Sequence, residues 1–241
     1  MTTRYGILAR AYFIYGCPGE NDETIRETID LIMKIKPLSV IFYILDIFPG
    51  TAICNEFMKK FNLTDDIWLN RIEDILYFEK DPNLSKEKVL AFGKRLRESY
   101  YACLSEFADH IELADSKELY PFHADFLSRL GMTFSHGDYA KIEAIPDKDH
   151  TAERLYTKAL RYFPDHRAYL GLGMLYQKHR AFDKAWRILS EGIWHYPQSD
   201  SLNLCMGITL MNQGDFNKAL EYLLKIRNSQ DSAYYIAQCR Q

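Results

Sequence analysis

This chain has little with which to hold a metal or build a disulfide framework. Its five cysteines, Cys17, Cys54, Cys103, Cys205 and Cys239, lie far apart. None forms a C-x-x-C pair, and an odd number leaves no complete set of bridges. Reduced, mostly buried thiols are expected. The seven histidines contain no i, i+4 pair and no H-E-x-x-H arrangement, so solvated or capping roles suffice and no metal site is expected. Gly-x-Ser-x-Gly, a Walker loop and G-x-G-x-x-G are all absent, and the sequence names no catalytic residue.

Charge of one sign is also missing. Thirty Lys and Arg against 33 Asp and Glu give a formal net charge of −3. That balance argues against a general phosphate-backbone binder, so no nucleic-acid partner is expected. No apolar run reaches the roughly 18 residues of a membrane span. The longest, Val40 to Leu45, suits a buried strand, and no membrane partner is expected. The first residues lack the zones of a secretory signal, which makes a cytoplasmic location the expectation. With 47% hydrophobic residues in 241, the chain can bury substantial cores in one or two domains.

What is present is a pattern that returns. Leu172-Gly173, Tyr176 and Ala185 are followed by Met206-Gly207, Leu210 and Ala219. Gly173 to Gly207 and Ala185 to Ala219 both differ by 34, the period of a tetratricopeptide (TPR) helix pair. The clearest units run 166–199 and 200–233. Small residues at Gly173, Ala185, Gly207 and Ala219 permit close helix approach, and larger apolar residues fill between. Ala152, Tyr156, Ala159 and Pro164 mark a degraded earlier unit. Its first helix is expected to be short, around Gly137 to Ala144, and interrupted by Pro146. Ser232 to Arg240 should form a capping helix.

First-helix residues line the concave surface of such an array: Arg167, Leu170, Met174, Gln177, Ser201, Leu204, Ile208 and Met211. TPR modules that grip a terminal carboxylate resemble one another in a lysine and asparagine set. Leu170 and Met174 occupy the first of those positions here, so that clamp is not expected. A protein partner with a hydrophobic helix, docking onto the α/β part, or self-association as a homodimer through the groove all fit. Tyr169, Tyr176, Trp186, Trp194 and Tyr196 read as filling between helices.

The first 62 residues read as α/β. Tyr5 to Tyr15 is a nearly continuous apolar run, suited to a strand covered on both faces. It ends in Gly16-Cys17-Pro18-Gly19-Glu20, which must turn sharply. Asn21 or Asp22 can cap a helix that Pro37 stops. A second strand at Val40 to Phe48 should pair in parallel with the first. Pro49-Gly50-Thr51 turns into a helix from Ala52 to Phe61. Ligands of parallel sheets bind beyond the carboxyl ends of the strands, where both turns lie.

Gly16-Cys17-Pro18-Gly19-Glu20 with Thr24, then a helix, then a strand ending Phe48-Pro49-Gly50-Thr51, resembles the later part of a radical S-adenosylmethionine (radical SAM) barrel, in the branch that often carries a cobalamin-binding domain. Asn21 stands where that branch usually has threonine. The resemblance covers roughly residues 4 to 60. It implies that Gly16, Pro18, Gly19 and Glu20 lie near SAM or substrate, through close backbone approach and a carboxylate acceptor. The competing reading is that these residues only turn the chain. The family holds its 4Fe-4S cluster by Cys-x-x-x-Cys-x-x-Cys, and no such motif occurs in these 241 residues. SAM and the cluster are therefore expected only if other residues complete the site.

Residues 63–131 read as a helical bridge. Asp65-Asp66-Ile67-Trp68 opens a stretch with Ile72, Ile75, Leu76 and Phe78, helical at first and then irregular. Ser85 caps a long helix to about His110, with Val89, Phe92, Leu96, Tyr100 (or Cys103), Phe107 and Ile111 as its apolar stripe. Leu119 to Leu130 forms a shorter helix with Gly131 as its C-cap. The expected fold class is an α/β N-terminal fragment of parallel strands, a helical bridge and an α-α TPR solenoid, 132–241. Functionally, that describes a protein-contact module without activity of its own. The alternatives are a component of a radical SAM enzyme, or a pure scaffold whose α/β element caps the repeats.

Overall fold

The computed structural model describes residues 2–69, 73–226 and 230–240, with the side chains of 230 and 231 left aside. Its contacts divide the chain at other points than 62 and 131. One compact unit is Ala9–Phe107; the other joins Met1–Leu8 to Ala108–Gln241. Among the described residues no helix is long and apolar enough to cross a membrane.

In the first unit, β1 (Ala11–Tyr15) pairs in parallel with β2 (Val40–Ile44), in the register Ala11 to Val40 through Tyr15 to Ile44. Helix α1 (Asp22–Ile35) makes the crossover. Asn21 caps it: its side-chain oxygen accepts from the Glu23 and Thr24 amides, while Thr24 Oγ1 accepts from the Asn21 amide. Ile25 and Ile32 on its inner face are fully buried. The expected strand from Tyr5 is shorter, because Thr2–Tyr5 form a 3-10 turn and Gly6 turns left-handed at φ 75°. The second strand also breaks early. Asp46–Ile47 form β3, which pairs antiparallel with β4 (Ile75–Leu76), a strand the sequence did not suggest. Between them lie α2 (Ala52–Lys60), capped by Thr51, and a 3-10 turn at Asp65–Trp68. Ile72 falls outside the described residues. Helix α3 (Lys86–Asp109) turns Val89, Phe92, Leu96, Tyr100 and Phe107 inward, all buried as the stripe requires.

Coverage of the sheet is one-sided. Phe42 packs edge-on to Tyr100, and Tyr15 lies so close under Gly93 that a β carbon there would clash with its ring. The opposite face carries Tyr12, Ile14 and Tyr43, all exposed. The expectation of a strand covered on both faces fails for the chain by itself.

The second unit is helical: α4 (Tyr120–Ser135), α5 (Lys148–Tyr162), α6 (His166–Lys178), α7 (Phe182–His195), α8 (Asp200–Asn212), α9 (Phe216–Leu223) and α10 (Gln230–Cys239). The strongest packing joins α4 to α5, α6 to α7 and α8 to α9, so the helices come in successive pairs. Both ends of α8 lie 34 residues beyond those of α6, and α9 starts 34 beyond α7. Contacts repeat with them. A β carbon on Gly173 would stand 2.6 Å from Leu189 Cδ2, and one on Gly207 would stand 2.6 Å from Leu223 Cδ2. Asp149 near the start of α5 bonds Lys178 and His179; Asp183, 34 residues on, bonds Gln213.

The degraded first pair corrects the sequence reading. Its first helix is α4, and the segment 137–144 holds only the 3-10 turn Tyr139–Lys141. Gly131 lies inside α4, where a β carbon would stand 3.0 Å from the Tyr156 ring, so it permits close helix contact and caps nothing. Lys148 Nζ donates to the Ala140 and Ile142 carbonyls, which fixes the long connection between α4 and α5.

Candidate functional site

The residues expected to line a groove fall on α6 and α8, the first helices of successive pairs. Asp165 and Ser199 start those helices alike, accepting from the Ala168 and Leu202 amides at 2.9 and 3.2 Å. Arg167, Leu170, Met174 and Gln177 on α6, with Ser201, Leu204, Ile208 and Met211 on α8, recur at helical spacing and share one face of each helix.

Three of the eight serve as braces between helices. Arg167 donates to Asp125 Oδ1 at 2.9 Å and Ser128 Oγ at 3.4 Å, tying α6 to α4. Burial would raise the Asp125 carboxyl, but its bonds to Arg129 and Arg167 outweigh that and hold it below the usual value. Gln177 Nε2 donates to the Cys205 carbonyl and to Thr209 Oγ1, both at 2.7 Å, tying α6 to α8. Ser201 Oγ lies 3.3 Å from His166 Nε2, which is 2.6 Å from Ser199 Oγ. Burial holds the His166 imidazole below its ordinary pKa, so the neutral ring is the form that fits.

The other five form an apolar strip. Leu170, Leu204 and Met211 rest partly buried on the core around Leu202, Met206 and Leu210. Ile208 is half-buried, and Met174, at 43% exposed, is the most open. This strip can receive an apolar surface. It offers no acid, base or nucleophile of its own. Sequence reasoning did not foresee the braces from α4, Asp125 and Ser128, because it had assigned that helix to the bridge.

The Gly16–Glu20 turn stands at the carboxyl end of β1. Gly16 and Gly19 take left-handed φ values of 79° and 77°, which an L side chain would strain. Gly16 also presses against Ile44 and Val89, each 3.3 Å from where its β carbon would stand. Pro18 sits between them, and the Glu20 amide closes the turn on the Cys17 carbonyl at 3.1 Å. The Glu20 carboxylate folds back to accept from the Gly16 amide. Burial raises its pKa, against the pull of the Gly16 and Cys17 amides. In this arrangement Glu20 closes its own turn.

The second turn repeats the device. Gly50 has φ 81°, and Thr51 Oγ1 donates to the Phe48 carbonyl while accepting from the Cys54 amide. An open cleft of about 710 Å³ adjoins it, lined in part by Pro49, Cys54, Asn55, Met58 and Trp68. Two further clefts, of about 640 and 520 Å³, occupy matching places in the helical unit beside Asp149 and Asp183. In the first, Lys178 and His179 already pair with Asp149, and Tyr176 donates to Glu153. Burial and that bond push the Tyr176 phenol up to about 12. Among the described residues no group of three metal-ligating side chains comes together.

No family model matches the chain. A stretch of 33 residues is 52% identical to part of an uncharacterized protein of Methanocaldococcus jannaschii. That stretch is 14% of this chain and 6% of that protein, so the match spans only a small part of the curated relative's length.

Proposed function

We propose that the chain is a protein-interaction module of the TPR kind, joined to an α/β element that resembles the late part of a radical SAM barrel. On this reading it mediates contact and performs no chemistry by itself. The observation that carries the reading is the repetition of α6 and α7 by α8 and α9 at a spacing of 34, down to the Gly173–Leu189 and Gly207–Leu223 contacts. A paired-helix array with this period leaves its first helices facing a common groove. The strip from Leu170 to Met211 suits the apolar face of an amphipathic helix. Affinity purification of the wild type beside Leu204→Glu and Ile208→Glu tests it. A defined protein present only with the wild type is expected; identical protein sets would refute it.

A second reading makes the chain part of a radical SAM enzyme that other residues complete. The two left-handed glycines Gly16 and Gly19, just beyond the carboxyl end of parallel strand β1, favour it. SAM or substrate would then contact Gly16, Pro18, Gly19 and Glu20, with a 4Fe-4S cluster held elsewhere. Calorimetric titration with SAM, repeated on Glu20→Gln, tests it. Binding that the substitution abolishes would support it, and binding that Glu20→Gln leaves unchanged would refute a SAM contact at Glu20.

A further inference from the structure

We propose that β1 is a self-pairing edge, through which two copies of the chain join antiparallel about Phe13. This goes beyond the groove reading and does not rest on it. Two bonds set the phase of β1: the Ala11 amide donates to Ser39, and the Tyr15 carbonyl accepts from the Leu45 amide. In a parallel ladder alternate residues turn both polar groups to the same neighbour. Ala11, Phe13 and Tyr15 therefore face β2, and the amides and carbonyls of Tyr12 and Ile14 face outward. Among the described residues no strand takes up that side, since the sheet has β1 and β2 alone.

The occupant follows from this phase. In an antiparallel pair centred on Phe13, Tyr12 of one copy stands opposite Ile14 of the other. Those are the two residues with outward groups, and directly opposed residues that exchange both bonds are what an antiparallel ladder requires. About four inter-chain bonds result. The side chains agree as well. Tyr12 is 61% and Ile14 55% exposed on one face, so the pairing sets an aromatic ring beside a β-branched residue twice, a favourable cross-strand combination. The outward Ile14 carbonyl takes only a long 3.9 Å contact from the Cys17 thiol, which a strand amide would displace. Strand β1 reads Ala-Tyr-Phe-Ile-Tyr, without the charge or proline that commonly protects an edge. Tyr12 already stacks on Tyr43 at 6.1 Å, so the join would extend one apolar face across two copies.

Sedimentation of the full chain over a concentration series, with residue-resolved amide exchange, tests the pairing. Expected are a monomer–dimer equilibrium and protection of the Tyr12 and Ile14 amides that grows with the dimer. Ile14→Lys, exposed and therefore compatible with folding, should weaken association by about tenfold or more by opposing charge to the apolar pair. Ile14→Thr keeps the strand and should weaken it less. Ile208→Glu should leave the dimer intact. A monomer at the concentrations of NMR work overturns the proposal. So does a dimer that survives Ile14→Lys but not Ile208→Glu, or one whose Tyr12 and Ile14 amides exchange freely.

Discussion

Gly207 lies directly under Leu223: a β carbon added to it would stand 2.6 Å from Cδ2, and Gly173 meets Leu189 at the same distance. Two helix pairs thus use one glycine each to bring a second-helix leucine onto the backbone of the first. Leu189 and Leu223 are both fully buried there, which is why a methyl group has nowhere to go.

Gly173→Ala and Gly207→Ala should each destabilise the helical unit by about 1–3 kcal/mol, the usual effect of overpacking. Urea denaturation measures it. The two losses should be of similar size, and Leu223→Ala should relieve part of the Gly207→Ala defect. Equal stability of all variants would mean that the pairs are not tightly packed.

Gln177 bridges α6 and α8 through two 2.7 Å bonds. Gln177→Ala should cost about 1–2 kcal/mol by removing both, again read by urea. Lys178→Ala, which breaks an exposed ion pair with Asp149, should cost under about 1 kcal/mol. The reverse order would contradict the bracing role.

His166 gives a pH dependence of known sign. Its folded pKa is depressed by burial, so its contribution is present above the ordinary histidine value and lost as pH falls through the folded one. Thermal unfolding of the wild type should decline on acidification from near neutral more steeply than that of His166→Asn. Parallel declines would show that the ring titrates as if free.

Glu20→Gln tests whether the carboxylate closes its own turn. An amide oxygen can still accept from Gly16, so stability should fall by only about 1 kcal/mol, whereas Glu20→Ala should lose more and release the Gly16 amide to exchange. Unchanged Gly16 exchange in Glu20→Ala would deny that bond.

The repeats were legible because period and small residues are local sequence facts: Gly173, Gly207, Ala185 and Ala219 mark closest approach wherever the helices lie. The α4 helix was misjudged because Gly131 looks like a stop signal. Whether a glycine ends a helix or admits a neighbour depends on Tyr156, twenty-five positions later. Strand β4 was missed since Ile75-Leu76 is two residues long and gains its partner only in three dimensions. The Gly16–Glu20 turn was legible as a turn. Its closure by Glu20 was not, because a carboxylate four residues from an amide reads equally well as a ligand contact.

A photoreactive amino acid placed at Met174, the most open position of the apolar strip, tests partner binding by the groove most directly. Irradiation in cells should attach a defined protein there, and should attach none from Thr157, an exposed position on α5. No protein adduct from 174, or the same adducts from both positions, would contradict a docking role for this groove.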